Sequence, residues 1–500
     1  MRDDKASYDS IDGSALVAVV TRRERVQDHL EGEESDLSDN FGQGGIAVAM
    51  SNRLTRRRLI RIGVATAGTT VLTALVGCQP VVEVTKPVVE ATKPVETTPS
   101  KTITIWASSV YAASPEAGTA SGIFAKYVKL FTDANPDFKV EVVDIGTTAT
   151  GSYAKLAGAL ATGTAGDLLD VAADLQRHAA AGHLMVLDDI VRSWGRTDTY
   201  QAAIDPFMWE GKQYGVPYIG NPRCLSYRKD FFEEAGLDPE KPPATWDDLI
   251  EMGPKLVKHD EDGVMTRASF WISPSTFVAD QVLWANGGEY FDSTGTQPLL
   301  NTPEAIEAWQ FARDTIFKYE LAPKGGINPS NNRWFLFNDK LAIDGEVGPA
   351  EMVLFRNNNP DHYDDVALAM PLGNKRRASF AGFQSWQINA KTKYPEDVAA
   401  LMYILTGDDF QVEINEFFGV LPVQAHLAET APYIVAEPRY KIAMDSYQYC
   451  FAEPAHIKWI PIRDTVVKQL MEALVISDQP DVKTLADQAQ AAAEKILKEE

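Results

Sequence analysis

Three cysteines stand in the chain, and their surroundings assign them different chemistry. Cys78 closes the run Leu75-Val76-Gly77-Cys78, behind an apolar stretch from Ile62 to Val76 and the basic cluster Thr55-Arg56-Arg57-Arg58-Leu59-Ile60-Arg61. Charged region, apolar region and small-residue cleavage site form the tripartite pattern of a secretory signal. The arginines resemble a twin-arginine export motif and the cysteine run resembles a lipobox. The chemistry expected of Cys78 is attachment of diacylglycerol, as first residue of the mature chain. A core helix that ends in Cys by chance is the blander reading. The apolar stretch is too short and too rich in Ala, Gly and Thr for a good membrane span. Cys224 and Cys450 remain as thiols, open to a disulfide outside the cytoplasm or to two separate buried positions.

Catalytic groups are harder to assemble. No Gly-x-Ser-x-Gly, His-Glu-x-x-His or Gly-x-x-x-x-Gly-Lys occurs. The 7 His are scattered without ligand spacing, so no zinc site is expected. His259-Asp260-Glu261-Asp262-Gly263 hints at calcium, but Lys258 stands where an EF-type loop needs its first Asp, and a solvated hairpin turn is expected. Asp292-Ser293-Thr294-Gly295 also reads as a turn. No cofactor and no enzymatic activity are expected. The rival is an exported hydrolase, such as a glycosidase with two carboxylates roughly 5 to 9 Å apart. Acidic residues are plentiful enough for that, yet no motif nominates a pair.

Composition narrows the partners. With 70 Asp+Glu against 47 Lys+Arg, a net charge of −23, the chain offers no surface for tracking nucleic-acid phosphates. Anionic headgroups repel it as well, so membrane attachment falls to the anchor, and a diacylated, N-acylated Cys78 supplies the two signals that stable anchoring needs. Residues 1–49 are acidic and without sustained periodicity, the composition of disorder. Met50, just before the arginines, is the expected initiator, which puts 1–49 outside the natural protein; a long n-region is the alternative. Residues 50–77 read as signal peptide and 78–100 as a lipidated tether. Within that tether Val-Val-Glu-Val-Thr-Lys-Pro, Val-Val-Glu-Ala-Thr-Lys-Pro and Val-Glu-Thr-Thr-Pro repeat, and the prolines favour an extended, partly stiff spacer.

The elements that must position any site begin at Lys101. Thr102 to Trp106 alternates as a strand. Ile123, Phe124, Tyr127, Val128, Leu130 and Phe131 mark one face of a helix that Asn135-Pro136 ends. Phe138 to Val143 alternates again, Tyr153, Leu156, Ala157 and Leu160 have helical spacing, and Leu168 to Val171 reads as a buried strand. This β-α-β-α-β order implies a largely parallel sheet. A second α/β region opens near Val216 with a strand at Leu225–Arg228. Thr245 is the N-cap of the next helix with Asp248 three residues on, and Thr302-Pro303 opens another. Val466, Leu470, Met471 and Leu474 share one closing helix, and Val482, Leu485, Ala489, Ala493 and Ile496 the other. About 400 residues exceed one ordinary core, so two lobes are expected.

From Gly211 onward the motifs fall in a recognisable order. Gly211-Lys212-Gln213-Tyr214-Gly215-Val216-Pro217-Tyr218, Leu225 to Leu237 with Arg228 where Asn is usual, and Pro243 to Leu249 come first. Ala285-Asn286-Gly287-Gly288, Ala342-Ile343-Asp344-Gly345, Ala369 to Gly373, Ala381 to Ala390 and Glu396 to Ala400 follow. Together they resemble the sugar-binding group of extracellular solute-binding proteins of ABC importers, to which maltodextrin-binding proteins belong. The resemblance implies an α/β, two-lobed periplasmic-binding-protein fold whose hinge lets the lobes close on ligand. It implies lobe one at 101–215 plus 371–425 and lobe two at 216–370 plus 426–500, crossing near Val216, near Met370 and after Leu421-Pro422. It implies a sugar ligand, a membrane permease as partner and a monomeric, extracytoplasmic receptor. A ligand-sensing lipoprotein without an importer shares the same fold.

A sugar offers apolar C–H faces to rings and hydroxyls to carboxylates, amides and Arg. Trp106 ends the first strand, where an α/β lobe presents residues to its cleft. The resemblance adds Trp271 and Phe277, near positions where the family places rings against sugar. Trp386 in the 381–390 strand and Trp459 before the penultimate helix complete the aromatic candidates, while Trp246 and Trp309 read as core. Polar candidates are Asp174, Asn221, Glu346, Gln384 and Arg463. For each Trp, core packing is as good a reading as stacking on ligand. For each loop polar group, capping or solvation is the commoner fate.

Overall fold

The computed structural model describes residues 99–146, 149–170, 174–327 and 338–499. The arginine cluster, Cys78 and the Val-rich repeats lie outside the described residues.

The first sheet grows from the expected β-α-β-α-β run. Lys101–Ala107 (β1), Ala120–Ala134 (α1), Phe138–Asp144 (β2), Ala149–Thr162 (α2) and Leu168–Asp170 (β3) follow one another. β1 is parallel to β2 on one side and to β3 on the other, Ile105 pairing with Val142 and Leu168. The helix α1 buries Ile123, Phe124, Tyr127 and Phe131. Leu130, placed on that face by spacing, is 51% exposed instead, because the stripe facing the sheet is narrower than the apolar run. After Leu175–Ala180 (α3), Val216–Pro222 (β4) passes through Arg223 into Cys224–Arg228 (β5).

The second sheet is built from the middle of the chain. Trp246–Leu256 (α4) starts at the Thr245–Asp248 capping box, which satisfies the first free N–H groups of the helix. Lys258–His259 (β6) and Met265–Phe270 (β7) form a hairpin whose turn is closed by Asp260, as the solvated-turn reading expects. Thr276–Ala285 (α5), Pro303–Phe317 (α6), Leu341–Val347 (β8), Pro349–Asn358 (α7) and Val366–Ala369 (β9) follow. Thr302 caps α6 and Pro303 opens it. The order is β9-β5-β8-β7-β6, with β7 and β8 parallel.

The chain then returns to the first sheet. Ser379–Ile388 (β10) pairs antiparallel with β3 and with β4, and Cys450–Phe451 (β11) adds at its start, giving β11-β10-β3-β1-β2 with β4 branching from β10. Asp408–Phe418 (α8) packs on α1, and Lys468–Ile476 (α9) and Val482–Lys498 (α10) pack on α6 in the second core. Two passages join the sheets, Arg223 between β4 and β5 and residues 370–378 between β9 and β10, and a third, 452–458, leads from β11 to the closing helices of the second core. A separate apolar cluster of Cys224, Val347, Phe355, Leu421, Met444 and Tyr447 packs around these passages. Trp246 and Trp309 are core, as read from the helix faces. No helix among the described residues is long and apolar enough to cross a membrane.

Candidate functional site

The first passage organises its surroundings through polar contacts. Asn221, next to last in β4, is buried, and its Oδ1 has no hydrogen-bond partner among the described residues. Gly348, just past β8, lets the second sheet approach this oxygen: a Cβ there would collide with it and stand 3.0 Å from Arg223 Nη1. Arg223 donates to Glu351 Oε2 at 3.0 Å, and the Gly348 N–H donates to the same oxygen at 3.0 Å. Residues of both sheets are therefore tied together at one carboxylate.

Beside this tie stand a ring and two polar groups. Ser275 Oγ accepts the Phe277 N–H at the start of α5 and lies 3.5 Å from Glu346 Oε1. The Phe277 ring stands 4.7 Å from that of Phe380 on β10. Because β10 pairs Gly382 with Asn221 and Glu346 precedes Gly348 by two residues, Asn221, Phe277 and Glu346 converge. Further along β10, the Tyr218 hydroxyl lies 3.2 Å from Gln384 Oε1 and 3.1 Å from the Tyr111 hydroxyl. The pairing shifts between Gln384 and Ser385, so the strand presents Gln384 out of the simple alternation.

A second group occupies the carboxyl ends of β1 and β3, the end at which open α/β sheets bind ligands. Trp106 is half-buried, with Lys155 Nζ 5.7 Å over its ring, and Gly166 leaves room for the indole. The Asp170 carboxyl is enclosed by its neighbours, which pushes it up to about 6 against the Ser108 N–H that donates to it. Asp174 opens α3 with a left-handed φ of 59° and caps no N–H, leaving its carboxylate 3.9 Å from Arg177. Asp170 and Tyr111 were not singled out from sequence. Their signal was position alone, since Asp170 ends β3 and Tyr111 closely follows the end of β1.

A family model described as bacterial extracellular solute-binding protein matches residues 115–412, which include strands of both sheets and the Arg223 passage. The chain belongs to that family. A curated relative, the sn-glycerol-3-phosphate-binding periplasmic protein UgpB of Agrobacterium fabrum, is 26% identical over 323 residues, 61% of this chain and 72% of its own. The arabinooligosaccharide-binding protein of Halalkalibacterium halodurans is 28% identical over 167 residues, 32% of this chain and 35% of its own. The sugar-binding protein MalE of Xanthomonas citri superposes with a TM-score of 0.69 at 19% identity, covering 79% of this chain and 97% of that one, which shows a shared fold.

The remaining candidates of this solute-binding protein sit deeper than their sequence positions suggest. Trp386 is fully buried, its indole 5.5 Å from the Tyr218 ring and 5.7 Å from Phe124, so it is a core residue of the first sheet in this conformation. Trp271 and Trp459 are buried in the second core, Trp459 lying 4.4 Å from the Tyr290 ring. Both leave the indole N–H without a partner among the described residues. Arg463 donates to Glu453 at 3.0 Å and to Asp464 at 2.8 Å. Burial alone would lower its pKa, but these carboxylates hold it above the usual Arg range. Beside them Asp280 accepts from Tyr290 at 2.6 Å, and burial with Glu453 nearby raises its pKa far above that of an ordinary carboxyl.

Other reactive groups are accounted for locally. Cys224 and Cys450 are free, buried thiols. Both thiols turn to Ser446: Cys224 Sγ lies 3.5 Å from its Oγ and Cys450 Sγ donates to its carbonyl at 3.4 Å. Burial pushes the Cys224 thiol up to about 12. Among the described residues Asp230, His362 and Asp365 come close enough to share an ion. Arg228 already donates to both oxygens of Asp230, at 2.8 and 2.7 Å, so the group is satisfied without one.

Proposed function

We propose that this protein captures a sugar, mono- or oligosaccharide, between two lobes and delivers it to the membrane permease of an ABC importer. The observation that carries the proposal is that the family match runs through both sheets and the Arg223 passage that joins them. Lobe one is then 101–222 with 371–425 and the strand at 450–451, and lobe two 223–370 with the rest of 426–500; the expected bounds of 216 and 426 shift because β4 and β11 pair in the first sheet. Phe277 offers its ring to a C–H face of the sugar. The Asn221 Oδ1 acceptor, Glu346 and Gln384 take hydroxyls, while Trp106 and Asp174 close the site from the strand ends of lobe one. Trp271, Trp386, Trp459 and Arg463 support these groups from behind. A buried acceptor such as Asn221 Oδ1 favours a ligand hydroxyl, because leaving it unpaired costs about 1–3 kcal/mol. Diacylglycerol on Cys78 keeps the receptor outside the cytoplasm and near its permease, after export behind the arginine motif. The chain works as a monomer without catalysis.

Titration of tryptophan fluorescence with mono- and oligosaccharides and with sn-glycerol 3-phosphate tests this. Saturable binding with the sugar recovered unchanged by chromatography supports it. Hydrolysis of the sugar, or binding of the phosphate ester alone, overturns it.

A further inference from the structure

We propose that the Val-rich segment before Pro99 docks on the first sheet, in the groove between α1 and the free edge of β2. The sheet ends at β2, which bonds only to β1 among the described residues, so its outer row of backbone groups is open to another strand. Against this edge lies a groove of about 500 Å³ whose walls include Tyr111, Val128, Phe138, Val140 and Val142. Its lining is mostly apolar, and Val128, Val140 and Val142 are only partly covered by the core beneath.

The end of the described chain names the occupant. Pro99 is itself part of the groove wall, and the following residue is fixed to the foot of β2 by the Ser100 N–H donating to Asp137 O at 3.0 Å. The chain entering at this point is Gln79–Thr98, in which Val81-Val82, Val88-Val89 and Val95 recur at heptad spacing. Seven extended residues span roughly 23 Å at 3.3 Å each, about the length of β2. Residues 92–98 can therefore run antiparallel to β2 with Pro94, which has no N–H to donate, at a position facing away from β2, placing Val95 in the groove. Such strand addition uses main-chain hydrogen bonds for affinity and alternate side chains for fit. Docking shortens the free spacer to 79–91, bringing the α1 face toward whatever holds the start of that spacer.

Hydrogen exchange on the intact chain tests this, comparing the wild type with Val95→Asp. Docking predicts at least tenfold slower exchange of the outward amides of Lys139–Val143 in the wild type, and a disulfide in Val95→Cys/Val140→Cys but not in Val82→Cys/Val140→Cys. Equal exchange in the two proteins with no cross-link overturns it. Protection that appears only as the concentration rises, alongside a dimer in sedimentation, assigns the groove to a second copy and also overturns it.

Discussion

The guanidinium of Arg223 and the carboxylate of Glu351 meet at 3.0 Å where the chain leaves one sheet for the other. Their side chains are 19% and 3% exposed, so the pair is shielded from water on both sides. Arg223→Met leaves a buried carboxylate with less than its charge requires, and a loss of about 3–5 kcal/mol is expected. Urea unfolding measures it. A loss below about 1 kcal/mol would mean that the pair behaves as a surface bridge.

Phe277 and Trp386 separate site from core. Trp386→Ala empties a fully buried position and should cost about 3–5 kcal/mol of stability. Phe277→Ala, at a half-buried ring, should lower sugar affinity at least tenfold while moving the unfolding midpoint little. Calorimetric binding and thermal unfolding of both variants decide between them; the reverse pattern would exchange their roles.

His426 makes stability depend on pH. Its Nδ1 lies 2.5 Å from Asp198 and its Nε2 3.0 Å from Asp408. The Asp198 contact, with Asp408 adding to it and partial burial opposing, raises its pKa above 6.5. The folded state thus holds the proton more tightly than the unfolded one. The contribution is complete below pH 6.5 and is lost as pH rises through the folded value. Because the imidazole is 45% exposed, screening limits it to about 1 kcal/mol or less. Wild type should lose this increment relative to His426→Gln between pH 5.5 and pH 8.5. Parallel stability curves for the two would contradict it.

Cys224 and Cys450 should resist alkylation in the native state and react fully once unfolded, without reductant. Mass spectrometry of alkylated peptides reads this directly. A linked peptide pair would contradict the free state of the two thiols.

Local signals carried most of the elements. The Thr245–Asp248 box, the Thr302-Pro303 entrance and the alternating strands each act within a few residues, and each appears where the sequence puts it. Side-chain direction did not follow. In a sheet covered on both faces, alternation cannot say whether Trp386 points to core or cleft, and the shift at Gln384–Ser385 exchanges the faces within the strand. Trp459 and Trp271 are settled by distant partners, Tyr290 and the second core, that no local pattern announces. The convergence of Asn221, Glu346 and Phe277 depends on Gly348 admitting one sheet against the other, which a lone glycine does not reveal.

Isothermal titration of the purified protein against a panel of neutral mono- and oligosaccharides tests the central claim most directly. The account predicts saturable one-to-one binding of at least one sugar, weakened at least tenfold by Asn221→Ala and by Phe277→Ala, with the sugar recovered intact. Binding that both variants leave unchanged, or sugar recovered cleaved, would contradict it.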